Sequence, residues 1–161
     1  MLRDIAALAG EFGLTNVAPK EAIAVMAFQG LMRSYQPEFV REGVFFKFGG
    51  VTVVVKATES PSDTQSIAQA DLDEAKLVVF AVVRAAPPLE GVKCFQGDAP
   101  AQGPRHMVEL RGFISRNEIR KHYKVTKYKT VPCYRVGVKR LKPITDLLWW
   151  LEDGGHQHGR D

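Results

Sequence analysis

Residues 51–58 read Val-Thr-Val-Val-Val-Lys-Ala-Thr, a β-branched run broken by a single charge at Lys56. Continuous apolar runs of this length suit a strand covered on both faces, because a half-exposed strand alternates apolar and polar positions. A second apolar run, Val44 to Phe48, lies just upstream, and Gly49-Gly50 between the two permits a tight turn, so residues 43–57 predict a hairpin. Period-two alternation then puts Thr52, Val54 and Lys56 on one face of the second strand. Lys76 to Val83 is another covered strand after its first residue, and Met107 to Ile114 and Pro132 to Val138 read as further strands.

Helical spacing fills the intervals. Residues 1–13 suit a short helix. Pro19 at an early helical position and Glu21 in the first turn open a longer one, which runs to about Ser34. Its apolar residues Ile23, Val25, Met26, Phe28, Leu31 and Met32 are too many for a narrow stripe, so this helix is expected to be well buried. Ser60-Pro61-Ser62-Asp63 predicts a turn, followed by a weak polar helix or loop through Ala70. Between Ala85 and Arg105 the chain turns to proline, glycine and small polar residues, which predicts a long loop with a short strand around Val92 to Phe95. Ser115-Arg-Asn-Glu118 is a capping box that opens a short helix to about His122. A last helix starts at Pro143 and ends before Gly154-Gly155. The expected fold is α/β or α+β, one domain over residues 1–155 with a central mixed sheet flanked by helices, then a mobile tail at 156–161.

Composition narrows the class. A chain of 161 residues, 45% hydrophobic and 25% charged, is that of an ordinary globular domain. No apolar stretch reaches the roughly 18 residues that span a bilayer, and Asp4 and Glu11 interrupt the apolar patch at the N-terminus, so a cytoplasmic protein without membrane contact is expected. Cys94 and Cys133 are far apart and outside any CxxC or Cys/His cluster, which suits buried, reduced thiols and gives no zinc signature. His156-x-His158 lacks neighbouring carboxylates and reads as part of the tail. Trp149-Trp150, among Leu147, Leu148 and Leu151, reads as core; an exposed half of that cluster would imply a dimer or a partner groove.

Charge changes the picture more. The net charge is +4, yet residues 116–142 hold ten Lys and Arg against one Glu. Arg116, Arg120, Lys121, Lys124, Lys127, Lys129, Arg135, Lys139 and Arg140 interleave there with Tyr123, Tyr128 and Tyr134. A phosphate backbone attracts such a surface without a sequence code, and tyrosines add stacking. Nucleic acid, DNA first, is the expected partner; an acidic host protein would use the same charges.

The glutamate-bearing helix at Glu21, the hairpin ending in Val-Val-Val-Lys56-Ala-Thr and the following apolar strand led in by Ala70-Asp71 together resemble the PD-(D/E)XK nuclease-like superfamily. Leu110-Arg-Gly-Phe-Ile-Ser115, Pro132-Cys-Tyr-Arg-Val and Leu141-Lys-Pro-Ile144 resemble its small phage-type members. The resemblance spans roughly residues 15–150 and implies a restriction-endonuclease-like core whose strand ends offer carboxylates to Mg²⁺ beside a catalytic lysine. Carried over, the lysine is Lys56 and the helix acid Glu21, with Glu42 nearest to the strand aspartate. The acid two positions before the lysine is replaced by Val54. Glu59, Asp63 and Gln69 lie downstream as substitutes for the lost ligand. Without it, the expectation is a fold that binds DNA or a DNA-handling protein without efficient cleavage and holds no metal. A Mg²⁺-dependent endonuclease with a relocated carboxylate, using Lys56, Glu21, Glu42 or Glu59, and a phage inhibitor or adaptor of a host protein are the alternatives.

Overall fold

The computed structural model describes residues 9–85 and 106–153. Helix α1 (Pro19–Tyr35) begins with proline in its first turn and ends one residue before Gln36-Pro37, where Gln36 N–H donates to the Met32 carbonyl. Strands β1 (Val40–Glu42), β2 (Phe45–Phe48) and β3 (Val51–Thr58) follow as an antiparallel meander. The chain then leaves this sheet through β4 (Thr64–Ala68) and the short helix α2 (Gln69–Glu74), and returns as β5 (Leu77–Ala85), parallel to β3. Strand β6 (His106–Ser115) pairs antiparallel with β5 and completes a five-stranded mixed sheet in the order β1-β2-β3-β5-β6.

Helix α3 (Arg116–His122) opens on the Ser115 side chain, which accepts from Glu118 N–H at 3.2 Å. Strands β7 (Val125–Tyr128) and β8 (Val131–Gly137) form a hairpin, and a 3₁₀ turn (Val138–Arg140) leads to α4 (Thr145–Glu152). The result is an α/β domain built around a mixed sheet, as the element pattern predicts.

The uninterrupted apolar runs of β3 and β5 have a simple cause, since the sheet they belong to is covered on both faces. Val53, Val55, Val79, Ala81 and Val83 face α1 and α4 and pack with Val25, Phe28, Met32, Leu147, Trp150 and Leu151. Val54, Val78, Phe80 and Ile114 face the other way, onto Leu72, Ile119, Ile67, Tyr134 and Val136. The β1–β2 end is fastened to α1 by aromatic packing, with Phe28 edge-on to Phe46 at 5.0 Å and Phe39 tilted against Phe48 at 5.4 Å. Arg41 adds a polar fastening: its guanidinium donates to Gln29 Oε1 (2.7 Å), to the Gly43 carbonyl (2.8 Å) and to the Phe12 carbonyl. Burial, with Arg33 nearby, lowers its pKa from the usual arginine value, though a guanidinium stays charged at any working pH.

Three expectations are corrected. Residues 64–68 form a strand rather than a polar helix or loop, because Gln65 and Ile67 point inward at period two and the strand pairs with β8 from Thr64↔Gly137 to Ala68↔Cys133. The basic segment contains a further strand, β7, so the single expected sheet is joined by a second, three-stranded antiparallel one in the order β4-β8-β7. The apolar cluster at the C-terminus divides, with Trp150 buried and Trp149 62% exposed. The short strand expected at 92–95, Cys94, most of the first helix expected at 1–13 and the tail at 156–161 lie outside the described residues. Cys133 is buried and forms no disulfide among the described residues.

Gly112 shows how closely the C-terminal segment is seated. Phe113 exchanges backbone hydrogen bonds with Lys142 (2.9 and 2.8 Å), and Gly112, at φ +145°, sits at a bulge opposite Phe80 and Ala81. A Cβ added there would lie 2.4 Å from the Lys142 carbonyl oxygen and 2.9 Å from Leu141 Cβ. Gly112→Ala should therefore lower unfolding stability by about 2–4 kcal/mol in urea titration. A loss below about 0.5 kcal/mol would show that the 141–142 segment is not held against β6.

Candidate functional site

Lys56 is third from the end of β3, on the face that carries Val54. An ammonium at the end of a covered strand must either reach water or find acid. Lys56 does the second. Its Nζ lies 2.5 Å from Asp71 Oδ2 and 3.5 Å from Glu21 Oε1, and the three side chains are 15%, 30% and 21% exposed, respectively.

Each partner arrives from a different layer. Asp71 stands in the first turn of α2, where a carboxylate is also favoured by the helix dipole, and α2 packs beside β3 on the Val54 face. Glu21 stands in the first turn of α1, on the opposite side of the sheet. It reaches Lys56 where the sheet gives way: β2 pairs with β3 only over Val51–Val54, followed by one bond from Val55 N–H to the Val44 carbonyl. Beyond that point β3 has no strand partner on its β2 side.

A buried glutamine braces the same strand end. The Gln65 side-chain amide donates to the Lys56 carbonyl (3.1 Å) and the Ala81 carbonyl (3.2 Å), fastening β4 across the ends of β3 and β5. Beside this triad opens a cavity of about 350 Å³ whose lining includes Glu21, Lys56, Ser66, Tyr128, Lys129 and Cys133. The β7–β8 hairpin is its outer wall, so the basic segment and the lysine site, 71 positions apart at Lys56 and Lys127, meet at one place through that wall.

The other sequence-predicted residues are dispersed. Glu42 ends β1 and pairs with Lys47 at 3.4 Å on an exposed edge, two strands away from Lys56. Glu59 is exposed just after β3 and makes no ion pair among the described residues. Val54 is fully buried. Among the described residues no group of three or more His, Cys, Asp or Glu side chains is placed to share a metal ion.

The basic residues fall into separate sets. Arg116 donates to the Asp73 carbonyl (3.0 Å) and Arg120 pairs with the Asp73 carboxylate (2.6 Å), tying α3 to α2. Arg135 donates to Thr64 Oγ1 at 3.2 Å. Lys121 is exposed on α3, and Lys139 and Arg140 are exposed on the 3₁₀ turn. Lys124 just before the hairpin and Lys127 and Lys129 within it are exposed. The tyrosines divide as well: Tyr134 is buried, Tyr123 accepts from Gly137 N–H at 3.0 Å, and Tyr128 is 67% exposed.

Asp71 and Gln65 are the site residues that sequence reading passed over. Asp71 was visible only as the lead-in to β5, and an acidic residue opening a helix carries no mark of its distant partner. Gln65 lies in the stretch whose composition predicts a weak polar helix or loop.

The triad makes a stability test. Lys56→Met leaves two carboxylates facing each other in a half-buried site, whereas Glu21→Gln keeps the closer Lys56–Asp71 pair. Partial exposure places the first change between the values for exposed and buried pairs, a loss of about 1–3 kcal/mol, and the second under about 0.5 kcal/mol. Urea unfolding at neutral pH measures both, and equal losses would mean that Lys56 does not serve to neutralise the pair.

No family model matches this chain, and no curated protein or solved structure matches it either.

Proposed function

We propose that this chain is a nucleic-acid-associated protein on a PD-(D/E)XK-like core, binding DNA or a DNA-handling protein without efficient cleavage. The order of parts supports the core: a glutamate-bearing helix, a hairpin whose second strand ends in the lysine, and a parallel strand that follows a crossover with Asp71 at its helical start.

The observation that carries the reading is the state of Lys56. In a metal nuclease of this type the lysine faces substrate or water while carboxylates hold the ion. Here both nearby carboxylates are turned onto the lysine itself, and the position that should supply the next ligand is the fully buried Val54. Mg²⁺ requires near-octahedral oxygen coordination and gives up its water reluctantly. Two carboxylates already engaged by an ammonium do not fit that demand, and no hydrolytic step follows from them. The triad is instead a brace that joins α1, β3 and α2 under the exposed lysines of the hairpin, whose charge supplies attraction for phosphate.

The test uses supercoiled and linear DNA with Mg²⁺ or Mn²⁺, together with fluorescence anisotropy on a labelled duplex at several salt concentrations. Binding that weakens as salt rises, with the supercoiled substrate left intact, is the expected result. Metal-dependent nicking that disappears in Lys56→Ala would overturn the binding-only reading and make Asp71 the relocated carboxylate of an active endonuclease.

A further inference from the structure

We infer that the β7–β8 hairpin is a groove-entering ribbon, and that its partner is B-form duplex DNA approached through the major groove. The inference deepens the nucleic-acid reading above and rests on it.

Three features of the hairpin lead here. First, its outer half is exposed on both faces. All four residues of β7 are exposed, as are Val131 and Pro132 at the start of β8, whereas Cys133 and Tyr134 further along are buried and anchor the base. Register places Tyr128 opposite Val131 and Lys127 opposite Pro132. One face of the tip therefore carries an aromatic and an aliphatic side chain toward the Lys56 cavity, and the other carries Lys127.

Second, its charge is unspent. No acidic residue occurs between Glu118 and Asp146, and none of Lys124, Lys127 and Lys129 forms an ion pair among the described residues. The nearest engagement is Lys129 Nζ, 5.5 Å from the centre of the Tyr128 ring. Arg116, Arg120 and Lys142, by contrast, are matched with Asp73 and Glu118.

Third, the turn is built from the wrong residues for stability. Lys129 and Thr130 both have positive φ, +46° and +72°, as a two-residue hairpin turn of the favoured hand requires. Asn-Gly meets that requirement without strain, whereas a β-branched threonine in the left-handed region is an outlier. Strain of this kind marks positions whose side chains are wanted for contact.

Dimensions select the partner. Paired strands lie about 4.8 Å apart, and the B-DNA major groove, about 12 Å wide, admits a two-stranded ribbon with its side chains. The corresponding groove of an RNA duplex is deep and too narrow to enter. Lys127, on the face turned away from the cavity, and Lys129 at the turn then meet the flanking phosphates or base-edge acceptors.

The decisive variant is Lys129→Asn combined with Thr130→Gly, which relieves the turn. It should unfold at a temperature equal to or above wild type and yet bind a 20-base-pair DNA duplex about tenfold more weakly, with the slope of log affinity against log salt smaller by about one unit. Wild type should favour that duplex about tenfold over RNA duplex and over the single strand of the same sequence, and should protect guanine N7, which lies in the major groove, from methylation. Equal binding to RNA duplex or single strand, or protection absent at N7, would overturn the groove assignment while leaving nucleic-acid binding intact. Unchanged affinity in the double variant would remove the ribbon from the interface. Failure of wild type to bind any of the three would overturn both this inference and the direct nucleic-acid binding on which it rests.

Discussion

An ammonium placed at the end of a strand that is otherwise sealed on both faces imposes the main constraint on this molecule. Lys56 shares its strand face with the fully buried Val54, so its charge must be met locally. Asp71 meets it from the face of the second sheet and Glu21 from the face of α1. One side chain thereby links the two layers that cover the sheet, at the place where β2 stops shielding β3. Gln65 reinforces the same point by hydrogen bonding to carbonyls of β3 and β5.

The brace also explains the division of labour between the two concentrations of charge. Around Lys56 one ammonium is shared by two carboxylates within the protein, which favours rigidity. Along the hairpin the lysines have no acidic neighbours, which favours an external anion. The cavity of about 350 Å³ lies between them, with Glu21 and Lys56 on one side and Tyr128 and Lys129 on the other.

Arg116 and Arg120 show why a tally of basic residues misleads. They belong to the same dense segment as Lys127 and Lys129, yet both are bound to Asp73 and hold α3 against α2. Exposed lysines on an edge strand also keep that strand from pairing with other chains, so part of the hairpin's charge protects the fold.

Local pattern determined much of this protein. The breaks in apolar runs at Gly49-Gly50 and Lys56, the proline and acid that open α1, and the capping box at Ser115 act within a few residues, and the elements they predict are present. The exit of Lys56 from a core strand is also a local fact. What tertiary structure alone decided is who answers that charge. Asp71 reaches Lys56 because β4 leaves the main sheet to pair with β8, a match between Thr64 and Gly137 across more than seventy positions. Side-chain periodicity reports which way a residue points within its own element, whereas a salt bridge depends on how separate elements are stacked, and that stacking is set by the burial of the whole apolar surface at once.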